Sequence, residues 1–144
     1  MVTGTAQPIE VLKSSKTIVV VGASKSPEKE AYTVPQYLKE RGYRIIPVNP
    51  SAAEIQGEKS YPSLADIPED VAKTVDVVEV FRPSADLPQV ALQAVELKKR
   101  SGRKFVFWAQ QGLENEDAKR ILDENGIQYV MDACMRALHK IYVS

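Results

Sequence analysis

Cysteine is nearly absent from this sequence, because Cys134 is the single one among 144 residues. One cysteine cannot form an internal disulfide, so the chain is not a disulfide-stabilised secreted domain, and we expect a reducing compartment. Histidine is equally scarce, with His139 alone. One histidine and one cysteine do not supply the ligands of a zinc site, so the sequence predicts no bound metal.

The sequence also lacks an excess of charge of either sign and any long apolar segment. Lysine and arginine total 19 and aspartate and glutamate total 19, so the formal net charge is zero. Without a global field, nothing draws the chain to nucleic acid or to an anionic membrane. The longest apolar run, residues 105–109, is far too short to span a membrane, and residues 1–13 contain no apolar signal core. We therefore expect a cytoplasmic protein.

What the chain does contain is a regular alternation of strand-like and helix-like segments. The segment Thr17–Val21 is β-branched and apolar on both faces, which is typical of a central parallel strand. Pro47 donates no ladder hydrogen bond, so its strand is predicted to be at an edge of the sheet or irregular near its end. The predicted strands cover residues 17–21, 43–48, 75–81, 104–108 and 127–130; the predicted helices run from an N-cap at Thr33 to Arg41, from an N-cap at Ser84 past Val95, and over residues 114–125.

Strands that alternate with helices imply right-handed crossovers and a parallel sheet covered on both faces. The sequence therefore predicts one α/β domain over residues 1–144, with a Rossmann-like, doubly wound, mainly parallel five-stranded sheet and helices on both faces. In such sheets, ligands bind at the carboxyl ends of the strands, near the switch in strand order. Four predicted turns lie there, at residues 22–26, 49–50, 81–83 and 109–112.

The turn after the first predicted strand has the residues of a phosphate site. Gly22 allows the backbone to approach a ligand closely or to adopt a positive φ, and the amides that follow form an anion-binding nest. Ser24 and Ser26 add hydroxyl donors, and Lys25 adds a point charge. The alternative is that Gly22 only turns the chain and that both serines are solvated.

The dinucleotide fingerprint of NAD-binding proteins is incomplete in this turn. Ser24 occupies the position of the second glycine, and Pro27, which has no N–H, occupies the position of the third. The second strand ends in Asn49 and Pro50, with no carboxylate for a ribose diol. The phosphate-loop signature of nucleoside triphosphatases is absent as well. The sequence therefore disfavours both NAD and ATP as the ligand.

One short segment after each predicted strand adds to the pattern. The segments are Val21-Gly22-Ala23-Ser24, Pro47-Val48-Asn49-Pro50, Phe81-Arg82-Pro83, Trp108-Ala109-Gln110-Gln111-Gly112 and Cys134-Met135. In this order and spacing, over roughly residues 15–139, they resemble the CoA-binding protein family, whose members are built like the N-terminal domain of the succinyl-CoA synthetase α subunit. The resemblance implies that the cofactor is coenzyme A.

The resemblance also implies which part of coenzyme A each turn holds. Residues 23–26 would hold the phosphates and ribose, residues 49–50 would lie near the adenine-ribose end, residues 81–83 would flank the adenine or the pantetheine arm, and residues 109–111 would meet the pantetheine amides. Cys134 would lie near the CoA thiol and form a mixed disulfide with it, or would only be a small buried apolar residue. The predicted site is Gly22, Ala23, Ser24, Lys25, Ser26, Asn49, Pro50, Phe81, Arg82, Pro83, Ala109, Gln110, Gln111 and Cys134.

No set of residues in the chain predicts catalysis, since no serine can be matched with a histidine base and a carboxylate. In the synthetases that the family resembles, the phosphorylated histidine belongs to a following domain, so His139 is predicted to be a surface or C-terminal structural residue. The favoured function is a stand-alone, non-catalytic module that binds CoA or an acyl-CoA. One alternative is a component of an acyl-CoA synthetase or transferase that needs a partner chain, and a further one is an NAD(P)-binding redox or sensor domain. The predicted partners are the small-molecule ligand and either a second copy of the chain or a synthetase subunit.

Overall fold

A mostly parallel sheet forms the centre of the molecule. The computed structural model describes residues 1–143, and within them the main sheet has six strands and a separate hairpin has two. In chain order the strands are β1 (Thr3–Gly4), β2 (Thr17–Val21), β3 (Arg44–Val48), β4 (Glu54–Ile55), β5 (Glu58–Lys59), β6 (Val77–Val80), β7 (Val106–Ala109) and β8 (Tyr129–Met131). The helices are α1 (Pro8–Ser14), α2 (Glu30–Glu40), α3 (Glu69–Ala72), α4 (Leu87–Ser101), α5 (Glu116–Glu124) and α6 (Met135–Tyr142), with 3-10 turns at Leu64–Asp66 and Ser84–Asp86.

The strand order of the main sheet is β1-β8-β7-β6-β2-β3. The five strands predicted from the sequence are all present and run parallel to one another, which confirms the mainly parallel, doubly wound sheet. The strand that contains Pro47 is at the edge, as its missing N–H requires. The order switches direction at β2, which has β3 on one side and β6 on the other, so the ends of these strands form the crevice where such sheets bind ligands.

The sheet has one strand more than predicted. The additional strand, β1, runs antiparallel to β8 and pairs Thr3 with Met131 and Gly4 with Val130. A two-residue strand has no period that a sequence pattern reveals, because its position is set by the partner strand. The hairpin of β4 and β5 was missed for the same reason.

Helices cover both faces of the sheet, as predicted. Val19 and Val78 point into a core with α4 and α5, while Val20 and Val77 point into a second core with α1, α2 and α6. All five residues of β2 are buried, which explains why its sequence is apolar on both faces.

Several helices differ from the sequence-based prediction. Helix α2 begins at Glu30 after an N-cap at Lys29, one turn before the predicted cap at Thr33. Helix α4 begins at Leu87 after a 3-10 turn over Ser84–Asp86, so its N-cap is Asp86 and the predicted cap at Ser84 is wrong. Helices α1, α3 and α6 were not predicted. Helix α1 starts with Pro8 at its first position and buries Val11 and Leu12, so a short amphipathic segment becomes a helix because the sheet provides a surface for it.

Candidate functional site

The turn after β2 is shaped by Gly22. Its backbone has φ +86°, in the left-handed region that residues other than glycine rarely adopt. A Cβ at this position would lie 2.9 Å from the carbonyl oxygen of Phe81, the residue after β6. The Gly22 N–H donates to Val48 O at 3.0 Å, which continues the pairing of β2 with β3. Glycine is therefore required where β2, β3 and β6 end side by side.

Two amide groups of this turn have no hydrogen-bond partner within the described residues. The Ser24 N–H donates to Ala31 O at 3.1 Å, and the Ser26 N–H donates to Ser24 Oγ at 3.0 Å. The N–H groups of Ala23 and Lys25 donate to no atom of residues 1–143. Unpaired backbone amides in a turn ahead of a helix are the donors to which anionic groups bind.

Pro35, inside α2, explains why the Ala31 carbonyl is free to accept a hydrogen bond from the turn after β2. A helical residue at position 35 ordinarily donates its N–H to the carbonyl of residue 31, but proline has no N–H. The Ala31 carbonyl accepts from the Ser24 N–H instead. A proline that would weaken an isolated helix thus helps to position the turn after β2.

Asn49 connects the turn after β3 to the turn after β2. Its Nδ2 donates to Ala23 O at 2.8 Å, and its Oδ1 accepts from the Ser51 N–H at 2.7 Å. The nitrogen and the oxygen of the side-chain amide therefore both form hydrogen bonds within the protein, as expected of a residue that orients the turn after β2. A direct contact between Asn49 and a ligand stays a prediction.

A cleft of about 220 Å³ lies at the carboxyl ends of β2, β3 and β6. It brings together one predicted residue from each of three turns, namely Gly22, Pro50 and Arg82. The sequence-based prediction missed Pro62 and Ser63, which also line it, and the polar residues that α4 contributes.

The polar residues from the start of α4 follow a helical spacing. Asp86, Gln89 and Gln93 all line the cleft, and residues three, four and seven positions apart share one face of a helix. This spacing is a signal in the sequence that could have identified them. Arg82 Nη2 donates to Asp86 Oδ2 at 2.9 Å, and both side chains are partly exposed. The cleft thus contains one guanidinium whose present partner is a carboxylate.

The remaining predicted residues lie along the same edge of the sheet but not in this cleft. Gln111 and Cys134 line a separate depression of about 260 Å³, together with Asp132 and Leu138. Cys134 is a free, half-buried thiol. The two depressions sit at the ends of different strands, one at β2, β3 and β6 and the other after β7 and β8.

Between them, Gln110 points into the protein. Its side chain is 2% exposed, and its amide nitrogen faces Glu79 Oε2 and Ala133 O, each at 3.3 Å, in the orientation that makes both contacts donor to acceptor. Glu79 is fully buried, and burial raises its pKa to about 8. Glu79 was not among the predicted site residues, although a glutamate inside an apolar strand is a signal that the sequence contains.

The sequence matches the family model described as the CoA binding domain over residues 16–140. The chain belongs to the CoA binding domain family. The resemblance inferred from the five segments is thereby confirmed.

Several known proteins are similar in sequence to this chain. It is 41% identical over 132 residues to the uncharacterized protein YneT of Bacillus subtilis, a match that covers 92% of this chain and 91% of that protein. It is also 34% identical over 83 residues to the ADP-forming acetate–CoA ligase II of Archaeoglobus fulgidus, a match that covers 56% of this chain and 12% of the ligase. The chain thus corresponds to a small part of that ligase.

Solved structures with the same fold include a relative at 36% identity. A hypothetical protein from Pyrococcus horikoshii covers 95% of this chain and 90% of its own, with a TM-score of 0.84. The WlbA dehydrogenase of Thermus thermophilus, solved with NAD, is 12% identical with a TM-score of 0.55 over 79% of this chain and 40% of its own. At that identity, the likeness shows a shared Rossmann-like fold and nothing about the ligand.

His139 of this family member is a structural residue in α6. Its side chain is 6% exposed, its Nδ1 lies 2.8 Å from the Tyr37 hydroxyl, and burial lowers its pKa. The prediction of a C-terminal structural role is consistent with these contacts, whereas a surface position is wrong. Within residues 1–143, no cluster of His, Cys, Asp or Glu could hold a metal ion, and no helix is long and apolar enough to cross a membrane.

Proposed function

We propose that this chain binds coenzyme A, free or acylated, as a stand-alone module without catalytic groups of its own. The observation that carries the proposal is the cleft where Gly22, Pro50 and Arg82 meet beside the unpaired amides of Ala23 and Lys25. Membership of the CoA binding domain family points to the same ligand.

The donors in the cleft and in the adjoining turn after β2 are suited to the phosphates of coenzyme A. A pyrophosphate and a 3′-phosphate require backbone amides and one or two cations. The Arg82 guanidinium lines the cleft, and the amides of Ala23 and Lys25 belong to the adjoining turn that begins at Gly22, so both kinds of donor are present. Arg82 forms two parallel hydrogen bonds to a phosphate once it leaves Asp86. The missing carboxylate after β3 supports coenzyme A over NAD.

The second depression is suited to the other end of the ligand. In the proposed pose, the adenine nucleotide occupies the cleft, and the pantetheine arm crosses the ends of β6 and β7 toward Gln111 and Cys134. Gln111 is exposed and has an amide that matches the amides of pantetheine. The buried Gln110 acts from beneath the turn and makes no direct contact with the ligand.

Calorimetric titration of the purified protein tests the proposal. We expect micromolar binding of coenzyme A and acetyl-CoA, weaker binding of 3′,5′-ADP, which lacks the pantetheine arm, and no response to NADH. A folded protein that binds NADH and not coenzyme A would refute the proposal.

A partner chain is a second candidate, because two relatives are named as alpha subunits of ADP-forming acetate–CoA ligases. Under this alternative, the chain supplies the CoA site to a ligase whose other subunit supplies catalysis. Affinity purification of the tagged chain from its native cells distinguishes the two functions. Co-purification of a subunit with an ATP-binding domain supports the alternative, and recovery of the chain alone with bound coenzyme A supports the stand-alone module.

A further inference from the structure

Glu79 is a carboxylic acid buried near the carboxyl end of the sheet. Its neighbours in register are Val20 on β2 and Trp108 on β7. The side chain has no exposed surface, and its Oε1 has no hydrogen-bond partner within the described residues. A buried polar atom without a hydrogen-bond partner destabilises the fold, so a glutamate at this position indicates a role other than stability.

The surroundings of Glu79 connect two turns of the proposed site. Glu79 Oε2 accepts from the Gln110 amide, which also donates to Ala133 O. Trp108 Nε1 donates to the same Ala133 oxygen at 2.9 Å. Ala133 directly precedes Cys134, the N-cap residue of α6. One buried acid thus lies beneath both the turn after β7 and the turn after β8.

We propose that Glu79, in its neutral form, is a positioning residue that holds these two turns together. Its ionisation leaves the bond from Gln110 in place but buries a charge whose Oε1 has no partner, and the water that this charge draws in separates the turns and weakens ligand binding. The effect on the ligand rests on the proposed function, whereas the effect on the turns does not. Because the carboxyl has no exposed surface, its charged form requires water to enter between the turns.

Within residues 1–143, no neighbouring charge compensates an ionised Glu79. Among the described residues, the titratable and charged groups nearest this core are Tyr37 of α2, Tyr43, Cys134, and Arg136 and His139 of α6. The Tyr43 hydroxyl donates to Leu12 O. Tyr37 is bonded to His139, and Arg136 donates to the Thr33 hydroxyl at 3.1 Å. Burial is the cause of the raised Glu79 pKa, with no contribution from any of these groups.

The single tryptophan of the chain reports directly on this network. Trp108 pairs with Glu79 in the sheet and donates to Ala133, so its emission changes when the turn after β8 opens. We expect a pH titration of tryptophan emission to show a transition centred near pH 8, because that is where Glu79 loses its proton. Glu79→Gln keeps the shape and cannot ionise, so the transition should be absent in this variant. Identical titrations of the two proteins would overturn the proposal.

Binding of coenzyme A provides the second measurement. With a pKa of about 8, about one-tenth of Glu79 remains neutral near pH 9, so the dissociation constant should rise about tenfold between pH 7 and pH 9. Any titration of coenzyme A itself affects both proteins equally. The difference between the rise in dissociation constant of the wild type and the smaller rise of Glu79→Gln therefore isolates the contribution of Glu79. Equal rises in both proteins would refute the effect on binding.

Two further variants separate positioning from general damage. Glu79→Met removes the bond to Gln110 and should bind coenzyme A weakly at every pH, whereas Glu79→Gln should retain wild-type affinity near pH 7. Glu96→Gln, on the exposed face of α4, makes the same chemical change and should behave as wild type. Wild-type affinity of folded Glu79→Met would contradict the positioning role. If no protein binds coenzyme A, the proposed function fails, and the tryptophan titration still decides whether Glu79 holds the turns.

Discussion

Replacement of Gly22 by alanine tests the geometry of the turn after β2 most directly. At φ +86°, alanine adopts the left-handed region, which costs a residue other than glycine about 1–2 kcal/mol. Its Cβ would also lie 2.9 Å from the Phe81 carbonyl oxygen, so the ends of β2 and β6 have to move apart. Overpacking of this kind typically costs a further 1–3 kcal/mol or so. We therefore expect Gly22→Ala to lose about 2–5 kcal/mol of unfolding free energy.

Gly42 provides a matched control for the backbone strain. It has φ +97°, and a Cβ built there meets no atom within 4 Å. Gly42→Ala should therefore lose only the strain, about 1–2 kcal/mol. Urea unfolding, followed by tryptophan fluorescence, measures both losses. Equal losses in the two variants would refute the inferred close approach of Gly22 to Phe81.

The same pair of variants tests the ligand site. Separation of β2 from β6 displaces the amides of Ala23 and Lys25, so we expect Gly22→Ala to bind coenzyme A at least about tenfold more weakly, a loss of about 1.4 kcal/mol. Gly42→Ala, on the other side of α2, should bind normally. Unchanged affinity in a folded Gly22→Ala would exclude this turn from the site.

Three other changes test the charged groups. Arg82→Ala should weaken CoA binding about tenfold or more, since a hydrogen bond to a charged group is worth about 1.5–3 kcal/mol, whereas its exposed pair with Asp86 should contribute less than about 1 kcal/mol to unfolding. Calorimetry and urea unfolding measure the two effects, and a loss of stability larger than the loss of binding would contradict this assignment. Lys25→Ala should weaken binding only slightly at physiological salt and more at low salt, because Lys25 is exposed and its charge is screened; a loss independent of salt would be inconsistent with that role. For Glu79, the folded-state pKa of about 8 lies above the ordinary 4.5, so the folded chain keeps a proton that the unfolded chain loses, and stability should fall by up to about 1.4 kcal/mol per pH unit as pH rises from about 4.5 to 8. Glu79→Gln should lack this slope in urea unfolding at several pH values, and parallel curves for the two proteins would argue against a neutral buried acid.

Much of the fold could be predicted because its strands are buried on both faces. Continuous β-branched runs such as Thr17–Val21 indicate central parallel strands, and Pro47 indicates an edge strand. The short strands β1 and β4 could not be predicted, because each has two residues and owes its conformation to the partner strand. Helix α6 likewise depends on the sheet surface against which it buries Met135 and His139.

The sequence by itself determined the alternating architecture, the glycine turn after β2 and the family, because local pattern and motif order carry all three. Only the tertiary structure decided which residues share a cleft, since that depends on the strand order that brings β6 beside β2. It also showed that Gln110 faces inward and that Glu79 has no access to water, because the burial of a strand residue depends on the helices that cover the sheet. The five segments that carried the resemblance thus contain residues that line a depression, such as Gln111, and residues that support the turns from inside the protein, such as Gln110.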